Sequence, residues 1–123
     1  MNDFNFNTTP GMIFGKGSSV SSCDRIIDKL GDNIFLITDA DLTKIGLNKP
    51  IINELSKSSN LEVFDDVESD PSKKTLIKAL KSAKNFKPTG ILGFGGGSSM
   101  DIAKLISKQC NHNAPLVTII FRF

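Results

Sequence analysis

Residues 90–104 read GILGFGGGSSMDIAK: an apolar run, three consecutive glycines at Gly95, Gly96 and Gly97, and then a segment with helical spacing. Glycine loses more backbone freedom on ordering than any other residue. Three in a row therefore call for a backbone conformation closed to side chains, or for a partner that must come very close. Gly93, Gly95 and Ser98 nearly spell the dinucleotide pattern G-x-G-x-x-G, with serine in the last place, after an apolar strand and at the opening of a helix. A helix N-terminus exposes N–H groups and the positive end of its dipole, and glycines let a pyrophosphate reach them without striking a Cβ. Ser98 is expected both to cap this helix and to offer its hydroxyl to a phosphate oxygen, and Ser99 belongs to the same cofactor-binding set. Asp101 is expected to return a bond to the cap backbone, with Lys104 one turn further on the same face. A ligand-free turn would need only two glycines. No Lys-Ser or Lys-Thr follows them, which disfavours a kinase or ATPase loop.

The flanking sequence predicts an α/β fold. Four apolar runs, Ile34 to Thr38, Leu61 to Phe64, Gly90 to Gly95 and Leu116 to Phe121, alternate with helical patterns. Ahead of them, Phe4-Asn5-Phe6 and Met12-Ile13-Phe14 flank Pro10-Gly11 and read as an antiparallel pair. A first helix is expected from about Ser19 to Leu30, with Val20, Cys23, Ile26, Ile27 and Leu30 on one face and Gly31 as the stop. A second begins near Pro50. A third has Asp70 as cap, Pro71 in the first turn, and Leu76, Ile77, Leu80 and Ala83 as its buried stripe. Lys74, Lys78, Lys81, Lys84 and Lys87 then form a solvated outer face. Asp39 closes the strand Ile34 to Thr38. There a carboxylate can accept hydrogen bonds from an adenosine ribose and repel the extra phosphate of NADP, or it can cap a turn ahead of Leu42.

Composition excludes several classes. At 123 residues, 39% apolar and 23% charged, the chain reads as one ordinary globular domain. A net charge of +2 gives no nucleic-acid surface, and no apolar run spans a bilayer. A cytoplasmic location is expected, with no nucleic-acid or membrane partner. Cys23 and Cys110 read as small apolar residues.

The stretch GFGGGSSMDIAK resembles the GGGSxxDxAK signature of the iron-containing alcohol dehydrogenase family, and MIFGKGS, LITDADL and DDVESDPS agree in order. The resemblance implies a Rossmann-like, mostly parallel sheet with flanking helices and an N-terminal hairpin, occupying residues 1–123 and truncated after about 116–120. It lacks the family's helical second domain. It implies that Gly95, Gly96, Gly97 and Ser98 hold the pyrophosphate and that Asp39 favours NAD. In the full-length family the cofactors are NAD and iron or zinc, the substrate is a small alcohol or aldehyde, and a homodimer is possible. The family's metal ligands are absent here, since His112 is the sole histidine. The chain alone is expected to be catalytically incomplete and to bind NAD in the roughly 0.1–10 mM range. A glycerol dehydrogenase-like fragment, a nucleotide-binding module working with a partner chain, and a signalling receiver domain are the alternatives.

Overall fold

In the computed structural model, which describes residues 4–7, 12–14, 23–68, 71–110 and 114–121, one six-stranded sheet carries five described helices. The strands are β1 (Phe4–Asn7), β2 (Met12–Phe14), β3 (Asn33–Asp39), β4 (Asn60–Val67), β5 (Gly90–Gly95) and β6 (Leu116–Phe121). Their spatial order is β2-β1-β6-β5-β3-β4. β3 to β6 form a parallel block, and β1 runs antiparallel to both β2 and β6, with Phe4 opposite Phe14 and Phe121. The expected N-terminal pair is therefore present. The helices are α1 (Cys23–Leu30), α2 (Ala40–Ile45), α3 (Lys49–Ser58), α4 (Lys73–Phe86) and α5 (Gly97–Gln109).

The period of two along each strand decides which face each helix covers. Ile34, Leu36, Leu92, Phe94, Val117 and Ile119 point to one side. There they meet Cys23, Ile26 and Leu30 of α1, Leu42 of α2, and Ile51 and Leu55 of α3. Phe35, Ile37 and Ile91 point to the other, against Ala79 and Ala83 of α4 and Ile102, Ala103 and Ile106 of α5. The inner strands are thus buried on both faces, as parallel strands must be. Each fully buried Ile, Leu or Phe contributes about 1.5–3 kcal/mol.

The amino end of the sheet is closed by side chains. Asn33 donates from Nδ2 to the carbonyls of Phe86 and Lys87 at the end of α4, and accepts at Oδ1 from Asn60 Nδ2. These bonds satisfy carbonyls that a helix C-terminus leaves without an intrahelical donor. Gly90 lies against Leu30: a Cβ there would sit 2.5 Å from Leu30 Cβ and 2.6 Å from its carbonyl oxygen.

Some expectations are corrected. The cap of α4 is Ser72, whose hydroxyl accepts from Thr75 N–H, so Pro71 precedes the helix, and Asp70 lies outside the described residues. Ile77 is 57% exposed, because Ala79 and Ala83 bring α4 onto the sheet with Leu76 and Leu80 flanking. The five lysines of that region are exposed, with Lys78 on Asp66 at 2.7 Å. The expected start of the first helix at Ser19, with Val20, falls outside the described residues. α2 is a separate short helix that the apolar pattern did not reveal. Cys23 and Cys110 are buried and neither forms a disulfide; burial pushes the Cys23 thiol up to about 11 and raises that of Cys110.

Gly90→Ala should destabilise the chain by about 2–3 kcal/mol in urea unfolding, because a methyl would press on Leu30 backbone that cannot swing aside. Glu68 accepts from the Thr75 hydroxyl and the Ser72 N–H, which hold its carboxyl below the usual range. A depressed carboxylate stabilises the fold above its unfolded pKa and loses that contribution as pH falls through the folded one. Glu68→Gln should therefore lower the neutral plateau of a Tm against pH plot slightly and flatten its acid limb, so that variant and wild type converge at low pH.

Candidate functional site

Among the four parallel strands the winding reverses between β3 and β5: the chain passes from β3 outward to β4, then returns to the other side of β3 as β5. The carboxyl ends of strands flanking such a reversal open the crevice in which α/β sheets bind ligands. Asp39 ends β3 and Gly95 ends β5.

Asp39 caps α2, with Oδ1 accepting from Leu42 N–H at 2.9 Å. Its other oxygen, Oδ2, lies 2.7 Å from where a Cβ on Gly95 would be, and Ser99 Oγ lies 3.3 Å from the same point. Gly95 also has φ +147°, a conformation that side chains rarely adopt. Both explanations raised by the glycine run therefore apply at Gly95. At Gly96 and Gly97 nothing lies within 4 Å of a would-be Cβ, and both residues are exposed. Gly93 does something else. A Cβ there would meet Ala103 Cβ at 2.9 Å, so this glycine lets α5 lie close on the sheet.

The N-cap of α5 is Gly96, with Ser98 inside the first turn, which corrects the expectation that Ser98 caps the helix. The strand runs to Gly95, and the extended Gly96 leaves the helix no earlier place to start. Asp101 consequently sits beyond the position from which a side chain returns to the cap, and it is exposed. Gly96 has no side chain with which to cap the first turn. Ser99 is fully buried and its Oγ has no hydrogen-bond partner, a condition that costs about 1–3 kcal/mol. Asp39, Gly95, Gly96, Gly97, Ser98 and Ser99 are thus brought together at one mouth, with Asp101 on the outer face of α5.

A polar cluster beside Asp39 escaped sequence reasoning. Asn48 Nδ2 donates to Thr38 Oγ1 at 3.2 Å and to Thr43 Oγ1 at 2.9 Å, and Thr43 Oγ1 donates to the Asp39 carbonyl at 3.3 Å. The available signal was Asn48 directly before Lys49-Pro50, which reads as a simple helix cap.

The residues present fit a pyrophosphate: a helix N-terminus whose cap residue is glycine, two glycines opening onto space, and a buried hydroxyl with no partner beneath them. They do not fit a metal ion. Among the described residues no three His, Cys, Asp or Glu side chains come together to hold one, and His112 lies outside those residues. Among the same residues no helix is long and apolar enough to cross a membrane.

Comparison with known proteins agrees with the fold. Residues 9–121 match the family model of iron-containing alcohol dehydrogenase. The chain is 38% identical over 82 residues to aldehyde-alcohol dehydrogenase 2 of Entamoeba histolytica, covering 64% of this chain and 9% of that one. It is 32% identical over 114 residues to the NADPH-dependent aldehyde reductase YqhD of Escherichia coli, covering 91% and 28%. Its fold matches NADH-dependent butanol dehydrogenase A of Thermotoga maritima with a TM-score of 0.65 and 25% identity, over 76% of this chain and 24% of that one. The chain spans less than a third of the length of each of these relatives. With nearly its whole length inside the family match, and a four-strand parallel sheet to go with it, this chain belongs to the iron-containing alcohol dehydrogenase family.

Proposed function

We propose that residues 1–123 act as the Rossmann-like dinucleotide-binding domain of a cytoplasmic oxidoreductase that interconverts a small alcohol and its aldehyde with NAD. The observation that carries this reading is the glycine-capped α5 N-terminus, open over Gly96 and Gly97, beside a strand-end carboxylate. The first-turn N–H groups of α5 and the Ser98 hydroxyl hold the pyrophosphate, and Ser99 Oγ gains a partner when the mouth is filled. Asp39 accepts hydrogen bonds from the adenosine ribose and repels a 2′-phosphate, which selects NAD. Bound NAD supplies the hydride acceptor; the residues described here bind and orient it.

Cofactor choice rests on Asp39 rather than on kinship, because one relative is described as NADPH-dependent and another as NADH-dependent. The charge at the strand end is the physical discriminator. The alcohol and the metal chemistry are assigned to residues outside this stretch.

Titration of the 123-residue chain with NAD, followed by amide chemical shifts, should give a dissociation constant of roughly 0.1–10 mM, with the largest shifts at Gly96 to Ser99. Gly97→Ala should leave Tm unchanged or slightly raised while weakening NAD at least about fivefold, since its methyl points into space that only a ligand would fill. Unaltered affinity would remove the phosphate from this mouth. Asp39→Gly should narrow the preference for NAD over NADP while costing the α2 cap only a few tenths of a kcal/mol. An unchanged ratio would leave Asp39 as a helix cap alone.

A further inference from the structure

α2 is six residues long and buries only Leu42, so neither its length nor its packing holds it firmly at the end of β3. The strand end is also irregular, with a shift in its register against β4 between Ile37 and Asp39. Something else must fix the turn that carries Asp39.

Asn48 is placed to do it. It stands at the N-cap of α3, a position where asparagine ordinarily binds its own helix, yet its side chain makes no cap bond. The amide turns inward instead, is 2% exposed, and uses both protons of Nδ2: one on Thr38 of β3 and one on Thr43 of α2. Thr38 is itself fully buried. The Thr43 hydroxyl, accepting from Asn48, passes its own proton to the Asp39 carbonyl at 3.3 Å. One side chain thereby ties the last turn of the strand to the helix that Asp39 begins. A buried amide gives little net stability over an apolar residue of similar size. The geometry points instead to control of position.

We propose that Asn48, acting through Thr43, is a positioning residue for Asp39, holding the β3–α2 turn so that the carboxylate stays fixed at the crevice beside Gly95. This rests on the reading that Asp39 receives ribose hydroxyls, and so its effect should fall on the ribose and not on the phosphates.

The test compares two probes, NAD and inorganic pyrophosphate, by chemical-shift titration of the 123-residue chain. Thr43 is exposed, so Thr43→Val removes the relay hydroxyl without opening a core. It should weaken NAD roughly two- to tenfold, the scale of one hydrogen bond, and leave pyrophosphate unchanged. Thr43→Ser, which keeps the hydroxyl, should restore wild-type affinity, and Asn48→Ala should act like Thr43→Val. Adding either change to Asp39→Gly should cause no further loss, because the position being held no longer carries a carboxylate. Equal weakening of both probes would mark a general structural role and overturn the inference. So would wild-type NAD binding by Thr43→Val and Asn48→Ala in a chain that Asp39→Gly does weaken. Wild-type NAD binding by Asp39→Gly itself would overturn the ribose reading and the inference with it.

Discussion

The site depends on how closely the ends of β3 and β5 approach each other. With Asp39 Oδ2 only 2.7 Å from where a side chain on Gly95 would begin, position 95 has no room for a Cβ, and its positive φ adds a second requirement for glycine. A larger residue would push the carboxylate aside, and with it the bond from Oδ1 that starts α2. The strand also runs to Gly95 itself, so α5 cannot begin before Gly97. One close contact between adjacent strands thus places both the carboxylate and the helix N-terminus.

The two ends of the sheet are built to different standards. At the amino end Asn33 satisfies the carbonyls of Phe86 and Lys87 and pairs with Asn60, while Gly90 is filled against Leu30. At the carboxyl end Ser99 is left with a buried hydroxyl that nothing engages, and Gly96 and Gly97 face open space. Stability alone favours alanine at Ser99 and at Gly97, since the first change would remove an unpaired polar atom and the second would reduce the freedom of the unfolded chain. Such departures from local economy are expected where a ligand completes the arrangement.

What was legible in the sequence followed from periodicity and from glycine. The inner parallel strands were found because Ile, Leu, Val and Phe run together where both faces are buried, the edge strand β4 from its shorter apolar run Leu61 to Phe64, and the strand-to-helix turn from the glycine run. The residues that were misassigned share a cause. Ser98 was expected to be the cap because serine suits one, but the register of β5 fixes the cap at Gly96, and register is a tertiary property. Ile77 was expected inside because it is apolar, but the closeness of α4 to the sheet is set by Ala79 and Ala83, whose smallness carries no strong pattern. The Asn48 cluster was invisible for the same reason: its partners, Thr38 and Thr43, become neighbours only once the chain reverses at Gly46, which adopts a left-handed conformation at the end of α2.

On the proposed reading, Asp39 combines two roles that look exclusive in sequence. A helix cap and a ribose acceptor both need a carboxylate oxygen, and a single-atom view forces a choice between them. The carboxylate has two oxygens. Oδ1 is engaged by the Leu42 N–H, while Oδ2 faces Gly95 at the crevice, so the cap bond restricts rotation of the whole carboxylate. A group already held in one orientation loses less entropy on binding than one that must be ordered by the ligand. On that reading capping prepares Asp39 for its second role, and the short helix behind it serves as the means of holding it.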